Sequence, residues 1–137
     1  MKQLYTICYV SKASTALTNS QVEDLFEYTA TWNNKHDVSG ILLHSIGNFF
    51  QVLEGTEKVL ISLFRRIKED SRHGELYEIF NKSTSQPVFE NYKSTFDIVK
   101  TNNDLKMLLT YLNQDNSNST NLKLKRLLKP FDMLGDF

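Results

Sequence analysis

Hydrophobic and polar positions divide the chain into seven regular segments and a tail. Residues 3–11 (QLYTICYVS) are rich in β-branched and aromatic side chains, which predicts a strand. Alternation puts Tyr5, Ile7 and Tyr9 on one face and Cys8 on the other. Asn19-Ser20 offers a helix N-cap, with Glu23 and Asp24 in the first turn. Val22, Leu25, Phe26, Thr29, Trp32 and Asn33 then share one face, predicting a helix over about residues 20–34. Residues 38–46 and 48–54 predict two strands around a Gly47-Asn48 hairpin. Gly55-Thr56 opens a second helix to about residue 70, capped by Thr56, with an apolar stripe of Val59, Leu60, Leu63, Phe64 and Ile67. Residues 75–82 and 88–99 predict two more strands, with Pro87 kept out of the ladder.

The order βαββαββ matches the ferredoxin-like split βαβ unit. The expected fold is therefore α+β, with two helices on one face of a five-stranded mixed sheet. A strand order 4-1-3-2 makes the first and third strands neighbours, which lets Tyr9 reach Gln51. The groove between the helices is a natural ligand site. Past residue 100, residues 104–112 and 122–128 predict two short C-terminal helices joined by the polar stretch 113–121, the second ended by Pro130. They read as an appendage to the sheet. The expected organisation is a domain over residues 1–99 and a helix–linker–helix extension over 100–137.

Composition narrows the class. Sixteen basic and sixteen acidic residues in 137 give zero net charge, which argues against nucleic acid. One cysteine excludes an internal disulfide framework. No apolar run approaches the ~18 residues of a membrane span, and the N-terminus lacks a leader's apolar stretch. A cytoplasmic protein without membrane contact is expected. His36, His44 and His73 lack metal-ligand spacing, and no nucleophile-elbow, P-loop or zinc-protease motif occurs.

A few residues fit a core poorly. Gln51 interrupts Phe49-Phe50-Gln51-Val52-Leu53 on the same face as Phe49 and Leu53. It is either a solvent-facing amide or a buried one placed for a ligand; unsatisfied, it costs about 1–3 kcal/mol. Tyr9 alone reads as core with its hydroxyl at the rim. Asn33 reads as a helix C-cap or as an amide aimed into the inter-helix groove. Asp70 in a last helical turn is disfavoured by the helix dipole, and Arg66 at i−4 offsets it. That pair is either solvated or closes the groove's mouth.

Four stretches, in order, resemble the BLUF family of flavin-binding blue-light sensors. They are Leu4-Tyr5-Thr6-Ile7-Cys8-Tyr9-Val10-Ser11, Asn33 through Leu42 with Gly40, Phe49-Phe50-Gln51-Val52-Leu53-Glu54-Gly55, and Arg66-Ile67-Lys68-Glu69-Asp70-Ser71-Arg72-His73. The resemblance spans about residues 3–97. It implies that Tyr9 gives an electron and a proton to the excited flavin, and that Gln51 bridges the Tyr9 hydroxyl to the flavin N5/O4 edge. It further implies Asn33 on the O4/N3 side and Arg66 and Asp70 on the pyrimidine side, with Arg72 and His73 of the same motif beside them. Leu25, Ile41, Leu53 and Leu63 would pack the ring. Trp32 either packs on the flavin or is an ordinary core indole.

On the fifth strand Tyr92 stands where the family often has Trp, and Ser94 where it has Met, so these two are the expected signal relay. The implied cofactor is FAD, with FMN or riboflavin as alternatives, since the recognisable contacts are to the ring. The implied role is a photoreceptor and not an enzyme, in a short form without an effector domain. Its output would run through the C-terminal helices to a protein partner or a homo-oligomer. The competing reading is a light-independent ferredoxin-like ligand module or small dimeric enzyme.

Overall fold

The computed structural model describes residues 4–89, 92, 96–114 and 118–134. Five strands form one sheet: β1 (Leu4–Ala13), β2 (Ser39–Ser45), β3 (Asn48–Thr56), β4 (His73–Thr84) and β5 (Asp97–Val99), in the order β4-β1-β3-β2-β5. β5 adds to β2 in parallel and the other pairings are antiparallel, so the sheet is mixed. Helices α1 (Asn19–Lys35) and α2 (Glu57–Lys68) pack on one face with Ile7, Leu42 and Leu53. Helices α3 (Asn102–Leu112) and α4 (Ser119–Leu134) pack on the other with Cys8, Ile41 and Phe50. This is the α+β, ferredoxin-like arrangement that the pattern predicts.

The boundaries move for local reasons. α1 starts earlier than Ser20 because Thr18 and Gln21 close a capping box, each side chain bonding the other's backbone N–H. The hairpin turn falls on Ile46-Gly47, both at positive φ (49° and 73°), one residue before the expected place. That is the two-residue turn whose twist matches the flanking strands. Gly40 is obligatory: at φ 134° a Cβ there would sit 1.9 Å from the Val52 carbonyl oxygen.

The C-terminal helices depart most. They are no marginal appendage: they build the second core layer, in which Leu105, Leu108, Leu112, Leu124 and Leu128 are fully buried. Each such burial contributes about 1.5–3 kcal/mol. Pro130 does not end α4, which runs on to Leu134. Phe131, packed against Phe50 at a ring separation of 6.1 Å, anchors the turn beyond it. The stretch 113–121 is not all linker, since Asn118 is buried and its Oδ1 accepts from the Thr120 and Asn121 amides, capping α4. The fifth strand is short, and Tyr92 lies outside it. Among the described residues no helix is long and apolar enough to cross a membrane.

Candidate functional site

Tyr9 and Gln51 face each other across the β1–β3 ladder. Both are buried, on the α1/α2 side. The Tyr9 hydroxyl donates to Gln51 Oε1 at 2.5 Å. Burial, reinforced by the nearby Asp70 carboxylate, pushes the Tyr9 phenol well above its usual range, so it keeps its proton. The bond occupies the carbonyl end of the Gln51 amide and leaves its Nε2 without a partner among the described residues.

Asn33 is not the C-cap of α1. His36 is, and Asp37 follows at φ 56° while the Val38 amide reaches back to the Asn33 carbonyl at 2.9 Å, a Schellman closure. The closure leaves the Asn33 side chain free to point inward. It is 1% exposed, and among the described residues its Nδ2 has no hydrogen-bond partner. A buried donor of this kind costs about 1–3 kcal/mol, which an acceptor on a ligand would relieve.

Tyr9, Gln51 and Asn33 line one cavity of about 150 Å³ between α1 and α2, room for about one small aromatic ring. Leu25, Leu63 and Trp32 supply apolar wall, and Arg66, Asp70, Arg72 and His73 bring charge and hydrogen-bonding groups. Ten of the residues singled out from the sequence therefore meet here.

The expected Arg66–Asp70 pair does not form. α2 ends at Lys68, so Asp70 lies beyond the helix and takes Arg72 instead. Its carboxylate accepts from the Arg72 backbone N–H and Nε at 2.9 Å and from Nη2 at 2.5 Å. These bonds hold the Asp70 carboxyl below the usual carboxylate range. The Arg66 guanidinium lies 4.5 Å from the Trp32 ring centroid, and the His36 ring stacks on the same indole at 3.8 Å. His73 Nε2–H donates to the Ile67 carbonyl at 2.5 Å while Nδ1 meets the Ser11 hydroxyl at 2.7 Å. That ring thus ties β1 to the end of α2.

Three expected residues fall elsewhere. Ile41 faces the α3/α4 core and does not line the cavity. The register sets Leu42, not Ile41, opposite Gln51, and one step along a strand reverses the face. Leu53 is on the cavity side of the sheet but lies deeper in the core, outside the lining. Tyr92 belongs to the α3/α4 core, its ring 4.7 Å from Tyr111, so it is no neighbour of Gln51 across the cavity. Ser94 lies outside the described residues. Phe49, Leu42, Tyr28, Thr29 and Ile67 also line the cavity. Period-2 alternation from Gln51 reaches Phe49, and i+4 spacing from Leu25 and Leu63 reaches Thr29 and Ile67.

Comparison with known proteins places this geometry. The family model for BLUF, sensors of blue-light using FAD, matches residues 4–95. The photoactivated adenylate cyclase subunit alpha-like protein FB of Euglena gracilis is 32% identical over 78 residues, 57% of this chain and 8% of that protein. The blue light- and temperature-regulated antirepressor BluF of Escherichia coli is 33% identical over 76 residues, 56% of this chain and 19% of that protein. This chain thus matches only a small part of either relative's length. Among solved structures, the BLUF domain of BlrP1 superposes with a TM-score of 0.73 at 27% identity, covering 96% of this chain and 90% of that one. With its motifs, its fold and a match over residues 4–95, the chain belongs to the BLUF family of blue-light sensors that use flavin.

Proposed function

We propose that this chain is a blue-light switch whose working parts are Tyr9 and Gln51, with a flavin held between α1 and α2. The observation that carries the reading is the buried 2.5 Å Tyr9–Gln51 bond in the same cavity as the unpartnered Asn33 amide. The lining suits a flavin ring. It offers amide donors from Asn33 and Gln51 to ring acceptors, apolar walls from Leu25, Leu42 and Leu63, and Arg66 beside them. The cavity is smaller than a three-ring ligand, so uptake requires the lining side chains to spread.

When bound, flavin supplies absorption of blue light and a site that accepts an electron. Tyr9 would be the donor of that electron, and its hydroxyl proton, held against Gln51 Oε1, would leave along that bond and come back when the electron returns. On the return, Gln51 is left with its donor and acceptor ends rearranged. An amide has one of each, so its orientation or tautomer is a two-state element. Its donor end would then be turned toward the bound ring, and a small red shift that decays in the dark would report that rearrangement. No substrate is turned over. FAD is the expected form, and Arg72, His73 and Asp70 complete the site. The output leaves through residues 100–137 to a protein partner or a second copy of the chain.

The test is Tyr9→Phe. The variant should bind flavin and show no red shift under blue light. An unchanged photocycle in this variant would remove Tyr9 from its role.

A further inference from the structure

The sheet separates the Tyr9–Gln51 pair from α3 and α4, and one buried carboxylate bridges that separation. Glu54 is on β3, three residues beyond Gln51, and is 2% exposed. It accepts from two consecutive backbone amides, Val88 at 2.6 Å and Phe89 at 2.7 Å. Both C-terminal helices grip the same short segment. The Tyr111 hydroxyl of α3 donates to the Val88 carbonyl at 2.6 Å. Asn118, the residue that caps α4, donates through Nδ2 to the Gln86 carbonyl at 3.3 Å. The segment from Gln86 to Phe89 is thus bonded at once to β3, to α3 and to the start of α4.

We propose that Glu54 is the positioning residue through which a change at Gln51 reaches the C-terminal helices, by way of residues 86–89. This rests on the sensor reading above and names its route. Gln51 and Glu54 stand on opposite faces of one rigid strand, so a displacement of β3 that accommodates a new Gln51 bond moves the Glu54 carboxylate. The two bonds are short, 2.6 and 2.7 Å, and end on one side chain, so Glu54 carries both backbone amides with it. A carboxylate is an expensive way to fill a core, because an apolar side chain of similar volume avoids the desolvation cost. The two-amide grip is what it offers in exchange. Tyr92, expected from the sequence as a relay residue, packs at this junction, its ring 6.1 Å from that of Phe89 and 4.7 Å from that of Tyr111.

The experiment is hydrogen–deuterium exchange of α3 and α4, in the dark and under blue light, on the flavin-loaded full chain. Wild type is compared with Glu54→Gln and Tyr111→Phe, and absorption is recorded alongside. Gln at 54 sets an amide donor against one of the two backbone donors. Phe at 111 keeps the ring on Tyr92 and removes the hydroxyl's bond to Val88. Glu54→Gln should keep the red shift and lose the light–dark difference in α3 and α4, and Tyr111→Phe should reduce that difference. A merely structural Glu54 would speed exchange in both states and leave the difference intact; that result in both variants overturns the proposal. If Glu54→Gln fails to fold, Tyr111→Phe decides by the same criterion. A wild-type red shift with no light–dark difference in α3 and α4 overturns the route and leaves the sensor reading standing. No wild-type red shift removes the sensor reading and the route with it.

Discussion

The two faces of one sheet are built to opposite rules. On the α3/α4 side, leucines at 105, 108, 112, 124 and 128 are fully buried against Ile41, Leu43, Phe50 and Val52. The carboxylate on that side, Glu54, has both oxygens bonded. On the α1/α2 side the buried residues include an amide donor with no partner and a tyrosine–glutamine pair beside a cavity. The difference separates what holds the fold from what it is held for. Unsatisfied polar groups cost stability; the buried Thr6 hydroxyl on the packed face is another, but it does not line the cavity, whereas the Asn33 amide does.

The largest effect should come from breaking the packed face. Leu124→Ala removes a fully buried side chain and should cost about 2–5 kcal/mol in a denaturant titration, while flavin affinity stays at the wild-type value. Next is Asn33→Leu, which removes the unpartnered donor. The flavin-free protein should gain up to about 1–3 kcal/mol, and flavin should bind about tenfold more weakly. A gain in stability paired with a loss of binding is the signature that only the cavity face can give. Equal losses on both measures would erase the contrast.

A smaller test separates neighbours on one strand. Ile41→Val should cost about 0.5–1.5 kcal/mol and leave flavin binding alone, whereas Leu42→Ala should weaken it, as read by fluorescence titration.

That contrast also marks where sequence reading stops. Alternation set Tyr9, Gln51 and Phe49 on one face, and the hydrophobic order yielded the strand arrangement, because both follow from period and register. Ile41 and Leu42 are equally apolar, so only the observed pairing with Gln51 tells them apart. Arg66 and Asp70 are spaced as helical partners, but the helix stops two residues short and a local Arg72 competes better. The C-terminal helices looked peripheral because the pattern shows that they are amphipathic and not which sheet face receives them. Pro130 sits inside α4 because Phe131 packs beyond it, a long-range contact that local propensity does not encode.

The smallest effect lies at Asp70. Its carboxyl is held below the ordinary range by Arg72, so the pair stabilises the fold above about pH 4 and loses that contribution as pH falls through the lowered native value. Both side chains are partly exposed, and the pair should be worth about 0.2–1 kcal/mol. In Arg72→Gln the acid unfolding curve should begin at higher pH than in wild type; coincident curves would show that the pair contributes nothing.

The central claim is that the cavity face is a light switch, and one spectrum tests it most directly. The purified chain, loaded with FAD, is measured before and after blue light and again after dark recovery. The account predicts a small red shift of the flavin bands that appears on illumination and reverses in the dark. A bound flavin whose spectrum does not change under blue light would contradict it.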